Sequence, residues 1–384
     1  MKNVLIVSQV IPQWYVDTLK NALGKDIHID IITGSKIDGV NIIPSPPHDA
    51  RTFKSRIVCW VKHLAFIKKW MRDNKHRQYY LIFAISNPPI NSYIGLALKK
   101  QYDAPFVYMN WDLYPQVIEY GINNFVSRFI CKNWHKWNNR NYPKIDRILT
   151  IGKVMAATMN EELSSKIPVG VFPIAVDTKR LRPINKKENP FAVKYGLTDK
   201  FVILYSGKMG MGHNIEMILE ASTILSEIND IQFVFIGEGP KYQIVQKSEH
   251  QAENILLLPL QSEDVFSYSM ACGDIGIVSQ EAKMAHLFMP SKAYSMMACG
   301  EAIISIGSDR DDLCALIKQY EIGISLSSAD PQDLANHIKQ LHDDPQLLNK
   351  YKTNARTVAE NHYSIEILQK QYTNFFDTLL YANT

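Results

Sequence analysis

Cysteine is scarce: five residues in 384 (Cys59, Cys131, Cys272, Cys299, Cys314), odd in number and without a C-x-x-C pair. Neither a disulfide framework nor a zinc site is expected, and a reducing compartment fits. Long apolar runs are missing too. Nothing approaches the eighteen or so apolar residues of a spanning helix. The opening run at residues 4–7 stops at Ser8-Gln9 and meets Pro12, too short for a signal-peptide core. Charge of one sign is not in excess. Lys plus Arg at 42 against Asp plus Glu at 38 leaves +4, too little to mark a nucleic-acid binder. Solenoid-period repeats and low-complexity tracts are absent as well. What remains, 46% apolar and 21% charged residues, is ordinary globular usage. A cytoplasmic protein is expected, with any membrane contact peripheral.

Short β-branched runs alternate with helix-length amphipathic segments, the pattern of parallel α/β layers. One series runs through residues 4–7, 27–33, 80–85, 106–109, 147–151 and 169–173. A second runs through 201–205, 231–236, 255–258, 275–278, 302–306 and 323–326. Between them Arg182-Pro183, Lys186-Lys187 and Asn189-Pro190 interrupt any periodicity. The expected organisation is a Rossmann-like domain over 1–175, a connection over 176–200 and a second Rossmann-like domain over 201–363. A C-terminal helix over 364–384 would be long enough to cross back onto the first domain. Asp330-Pro331-Gln332-Asp333 supplies the start of a helix. Open doubly wound sheets bind ligands beyond the carboxyl ends of their strands, so function is sought in the loops that follow strands.

The most informative loop is Ser206-Gly207-Lys208-Met209-Gly210-Met211-Gly212-His213-Asn214, between a strand and Ile215, Ile218, Leu219 and Leu225 at helical spacing. Glycines there let backbone N–H groups approach phosphate oxygens, and Lys208 and His213 add cationic donors. A tight turn that needs glycine for backbone reasons alone is the alternative. The spacing is neither a Walker loop nor a dinucleotide fingerprint. A second anion-facing element is Pro290-Ser291-Lys292, opening a helix that Gly300 ends. Lys292 stands in the first turn, where the helix dipole opposes a cation, so an anionic ligand explains it better than stability does. The one acidic pair of metal-binding form, Asp309-Arg310-Asp311, reads as the capped first turn of a helix. No metal site is expected.

Residues 51–77 concentrate basic charge. Arg51, Lys54, Arg56, Lys62, Lys68, Lys69, Arg72, Lys75 and Arg77 face a single acid, Asp73. Ile57, Trp60, Val61, Leu64, Ile67 and Met71 follow helical spacing. With Trp60 and Trp70, and with Arg56, Lys62, Lys68, Lys69 and Arg72 on the flank, the segment is expected to meet an anionic membrane surface. The alternative is a helix packed on the sheet with a solvated face. Arg128, Lys132, Lys136 and Arg140, with Phe129, Trp134 and Trp137, could extend that surface.

The glycine loop and the Pro290-Ser291-Lys292 helix, with Phe235-Ile236-Gly237-Glu238-Gly239-Pro240 and the helix-rich tail, resemble the nucleotide-sugar half of a known family. It is that of retaining GT-B glycosyltransferases of glycosyltransferase family 4, the bacterial surface-polysaccharide type. The resemblance covers residues 201–365. In the first half it rests on Ser86-Asn87-Pro88-Pro89, Trp111-Asp112-Leu113-Tyr114-Pro115 and Phe172-Pro173-Ile174-Ala175-Val176-Asp177.

The resemblance implies a GT-B fold, two doubly wound Rossmann-like domains facing across a cleft, with acceptor on the first and nucleotide sugar on the second. It implies transfer with retention and no cofactor beyond the nucleotide-diphosphate sugar as substrate. Lys208 and His213 would face the diphosphate with Gly207 and Gly210. Ser291 and Lys292 match the family's Pro-Ser-Lys, and Gly237, Glu238 and Gly239 its loop near the nucleoside. The family's paired glutamates fall at Leu287 and Ser295, so Ser295 is left to bond the ribose and Glu281 is a substitute at the donor sugar. Lys208 and Lys292 would carry charge in catalysis, and Asp112 would orient the acceptor hydroxyl. The glycine-rich loop after the first strand is replaced by Gln9-Val10-Ile11-Pro12-Gln13-Trp14, and Pro-Asn-Gly-Val-Asp by Pro173-Ile174-Ala175-Val176-Asp177. A metal-independent transferase acting on a glycan or lipid-linked acceptor at an anionic membrane, with no nucleic acid involved, is the expectation. A nucleotide-sugar-binding scaffold subunit and a sugar-nucleotide epimerase are the alternatives.

Overall fold

The computed structural model describes residues 2–49, 53–121, 124–163, 168–287, 289–328 and 330–381, the side chains of Phe53, Lys54 and Tyr381 excepted. Arg51 and Phe288 lie outside the described residues. The chain divides into two compact units, residues 1–173 with 368–384, and residues 174–367.

The first unit holds β1 (Lys2–Val7), α1 (Gln13–Leu23), β2 (Ile27–Thr33), β3 (Asn41–Pro44), α2 (Phe53–Asp73), β4 (Leu81–Ile85) and α3 (Asn91–Tyr102). It continues with β5 (Phe106–Asn110), α4 (Gln116–Gly121), α5 (Phe125–Asn141), β6 (Arg147–Thr150), α6 (Lys153–Glu162) and β7 (Val169–Val171). The strands form one parallel sheet in the order β3-β2-β1-β4-β5-β6-β7. Every residue of β4 and β5 is buried, as strands covered on both faces require, and this is why they read as continuous apolar runs. β3 was not legible, because an edge strand of four residues without one buried side chain carries no period.

The second unit holds α7 (Pro190–Lys194), β8 (Phe201–Lys208), α8 (Ile215–Ile224), β9 (Ile231–Glu238), α9 (Tyr242–Glu249), β10 (Ile255–Leu258) and α10 (Glu263–Met270). β11 (Ile275–Ser279), α11 (Ser291–Ala298), β12 (Ala302–Ile306), α12 (Asp312–Tyr320), β13 (Gly323–Leu326), α13 (Pro331–Asp343) and α14 (Pro345–His362) follow. Its parallel sheet has the order β10-β9-β8-β11-β12-β13.

Residues 176–200, expected to connect the domains, lie inside this unit and pack on it. Phe191 and Ala192 of α7 are buried. Arg356 of α14 donates to the carbonyls of Thr178 (2.9 Å), Leu181 (2.8 Å) and Ala298 (2.6 Å). Asp311 caps α12, its carboxylate accepting from the Cys314 amide at 2.7 Å.

The last helix, α15 (Ile365–Tyr381), contributes residues 368–381 to the first unit. Leu368, Tyr372, Phe376 and Leu380 recur every four residues and are buried. Tyr372 packs against Phe172 (4.7 Å) and Phe83 (6.3 Å), and its hydroxyl meets that of Tyr15. Among the described residues no helix is long and apolar enough to cross a membrane.

Candidate functional site

In the second unit the chain runs outward from β8 to β9 and β10, then returns to β11 and runs the other way to β12 and β13. Loops leaving β8 and β11 therefore diverge, and the gap between them is where such sheets receive ligands. The glycine loop follows β8, and the segment leading into α11 follows β11.

β8 extends three residues further than its apolar run implies, pairing Ser206 with Ile236, Gly207 with Gly237 and Lys208 with Glu238. This close approach needs glycine. A Cβ on Gly237 would stand 1.9 Å from the Gly207 carbonyl oxygen, and Gly237 also has a φ of 157°. Gly239 is similarly placed, 2.6 Å from the Met209 carbonyl. These two glycines thus seat the β9 loop against the β8 loop. Gly207 differs: its φ is 123°, and what a side chain there would meet is the Lys292 ammonium at 3.5 Å.

Lys292 is the centre of the site. Its Nζ is buried with no hydrogen-bond partner among the described residues, 4.1 Å from the centroid of the Tyr205 ring. Burial pushes its ammonium down to about 8, so it is charged at pH 7. The Tyr205 hydroxyl donates to the Lys208 carbonyl (2.8 Å) and lies 2.7 Å from His213 Nδ1. His213 was expected to be cationic, and the structure corrects this. Burial first, then the nearby Lys292, pushes its imidazole down to about 4, so it is neutral at pH 7. Fixed positive charge comes from the lysines.

The loop is firmly anchored. Lys241 donates to the His213 carbonyl (2.7 Å) and to Glu216 (2.6 Å), and the Asn214 amide donates to Ser279 Oγ (2.8 Å) at the end of β11. Lys241 and the buried Gln280, whose Nε2 has no partner among the described residues, were missed by sequence reasoning. Gln280 directly follows β11 and Lys241 follows Gly239-Pro240 after β9, which is the signal that could have found them.

The structure gathers Gly207, Gly210, His213, Gly237, Gly239 and Lys292 at one end of the second sheet. Gly210 sits beside the His213 ring, and Glu281 lies against Gly212, 3.2 Å from where a side chain there would begin. Lys208 and Glu238 are exposed at their strand ends. Ser291 is exposed at the start of α11 and Ser295, one turn on, is half-buried. Leu287 is fully buried and serves packing. Asp112 belongs to the first unit, half-buried just beyond β5. Burial pushes its carboxyl up, and Arg56 partly opposes this.

The membrane-facing expectation for α2 needs correction. Trp60 and Trp70 are 7% and 8% exposed. With His63 and Ile67 they form the stripe that faces inward, Trp60 packing edge-on to Tyr114 at 6.0 Å. Arg56 turns inward as well, its Nη2 3.3 Å from the Tyr114 hydroxyl. Lys62, Lys68, Lys69 and Arg72 are exposed. The exposed apolar side chains are others: Ile57, Val58 and Val61 on α2, and Phe125 (83%), Val126 (63%), Phe129 (64%) and Ile130 on α5.

Residues 187–358 match the family described as Glycosyl transferases group 1. It is 27% identical over 205 residues to the probable glycosyltransferase WbjE of Pseudomonas aeruginosa, covering 52% of this chain and 50% of that one. It is 27% identical over 235 residues to the putative colanic acid biosynthesis glycosyl transferase WcaI of Escherichia coli K12, covering 60% and 56%. The chain thus spans about half the length of these relatives. Sucrose-phosphate synthase of Thermosynechococcus elongatus superposes with a TM-score of 0.75 over 100% of both chains at 15% identity. The fold is GT-B.

Proposed function

We propose that the group 1 glycosyltransferase domain in residues 187–358 holds a nucleotide-diphosphate sugar. The chain would move that sugar, with retention and without an obligatory metal ion, to a lipid-linked glycan acceptor in surface-polysaccharide or glycolipid assembly. The observation that carries this reading is Lys292: a buried ammonium with no counter-ion among the described residues, at the switch point of its sheet. Burying an unpaired cation is costly, and a diphosphate repays that cost.

Transfer must stabilise charge growing on the leaving diphosphate. Lys292, Lys208 and the N-terminal end of α11 supply fixed positive potential there. His213, neutral when the site is free, offers a polarisable ring beside them, and an arriving anion favours its protonation. The leaving phosphate oxygen takes the acceptor proton, so no separate base is needed, and Asp112 orients the acceptor hydroxyl. Asp311, of the acidic pair of metal-binding form, is engaged in capping α12.

The enzyme would work on the inner face of the cytoplasmic membrane. Helices α2, α3 and α5 carry six, two and four Lys or Arg residues and one acid, Asp73. The exposed apolar residues of α5 are interleaved with Arg128 and Lys132, a pattern suited to an anionic lipid surface.

Lys292→Ala should lose about 2–4 kcal/mol of transition-state stabilisation, a hundredfold or more in turnover. Thermal shift against a panel of sugar nucleotides should show a stabilising donor for the natural chain and none for Lys292→Ala. Acceptor-dependent release of nucleoside diphosphate then supports the transferase. A second reading, a nucleotide-sugar-binding scaffold subunit, is favoured by Leu287 and Ser295 standing where the family has glutamates, and predicts binding without release. Conversion of donor with no acceptor present would identify an epimerase.

A further inference from the structure

The first unit holds an arginine that is ion-paired with no carboxylate among the described residues. Arg56, in the first turn of α2, has an Nε that is buried without a hydrogen-bond partner, and its one described hydrogen bond is the 3.3 Å contact to the Tyr114 hydroxyl. No carboxylate among the described residues is ion-paired with it. A guanidinium has five N–H donors in a planar fork, and a partly buried arginine that serves structure alone has them met.

Two further groups face this arginine. His48, on the segment after β3, has a buried Nδ1 with no partner among the described residues; burial first and then Arg56 push its ring down, partly opposed by Asp49. Asp112, after β5, is close enough for Arg56 to pull against the effect of burial on its carboxyl. The frame around them is rigid. Gln9 Nε2 donates to the Pro46 carbonyl (3.0 Å), fixing the segment that presents His48. Tyr114 is held between Trp60 (6.0 Å, edge-on) and Trp134 (6.1 Å, stacked). All of this lies at the carboxyl ends of the first unit's own strands, where a sheet of this kind receives a ligand.

We infer that Arg56 and His48 bind a phosphate group carried by the acceptor, beside the carboxylate that orients its hydroxyl. The guanidinium fork matches a phosphate's oxygens, and the imidazole supplies a further N–H. The inference rests on the reading of the first unit as the acceptor side, and it withdraws Arg56 from the lipid-facing set.

The test is isothermal titration of the full chain with geranyl phosphate, geraniol and inorganic phosphate. It is run on the natural sequence, Arg56→Gln, Arg56→Lys and His48→Gln, each also in a Lys292→Ala background that disables the second unit's anion site. Circular dichroism and the thermal midpoint establish that each variant is folded. The expected result is geranyl phosphate bound at least tenfold more tightly than geraniol. That preference should be lost in Arg56→Gln, partly kept in Arg56→Lys, weakened severalfold in His48→Gln and unchanged by Lys292→Ala. Should Arg56→Gln fail to fold, Arg56→Lys and His48→Gln decide by the same measure. Inorganic phosphate bound with the same Arg56 dependence assigns the site to phosphate itself, and geranyl phosphate alone to a lipid headgroup. The inference is overturned if the natural chain does not prefer geranyl phosphate. It is equally overturned if folded variants at positions 56 and 48 bind it unchanged, or if the preference vanishes with Lys292. Sugar-nucleotide binding that persists in any of those cases leaves the transferase reading standing. Arg56-dependent phosphate binding in a chain that binds no sugar nucleotide would sink that reading alone.

Discussion

At the scale of single residues, Lys292 sets stability against function. Its ammonium is pushed from an ordinary value near 10.5 down to about 8 by burial. Folding is therefore penalised while the group is charged in both states, below pH 8, and the penalty fades as pH rises from 8 toward the unfolded value. Lys292→Met should stabilise the free protein at pH 7 by about 3 kcal/mol, a gain that shrinks above pH 8, as denaturant unfolding across pH would show. The same variant should not bind donor. In the natural chain kcat/KM for the donor should fall above pH 8, where the free site loses its charge. Lys292 was legible because a cation in the first turn of a helix runs against its local field. Lys241 and Gln280 were not, because a lysine and a glutamine in a loop acquire meaning only from what lies beside them.

At the scale of elements, the β8 and β9 ends act as one piece. Gly237→Ala would drive a methyl into the Gly207 carbonyl, 1.9 Å away, parting the strand ends and dislodging the loop that bears His213. A loss of about 1–3 kcal/mol in stability is expected, and donor affinity measured by thermal shift should fall with it. A wild-type affinity in a destabilised variant would separate the strand ends from the site. The periodicity of α2 correctly predicts a helix with a buried stripe. It places Trp60 at a lipid surface wrongly, because a sequence period shows that an apolar face exists and not what covers it. Here α5 and Tyr114 cover it.

At the scale of the molecule, the membrane proposal moves from the tryptophans of α2 to the start of α5. Replacing both Phe125 and Phe129 with Glu should reduce co-sedimentation with anionic liposomes at least tenfold at low salt, since each ring is worth about 1.5–3 kcal/mol when buried in lipid. The Trp60→Phe variant should co-sediment normally. Equal losses in both would return the contact to α2.

Length, alternation of runs and the two anion-facing loops determined a pair of parallel α/β sheets and the place of the candidate site in the second. They did so because strands buried on both faces and glycine turns leave local marks that survive without neighbours. The charge state of His213, the inward turn of Arg56, the covering of Trp60 and the inclusion of residues 176–200 in the second unit were decided only by tertiary packing. Desolvation and partnership depend on groups brought together from distant parts of the chain, and no local pattern records them.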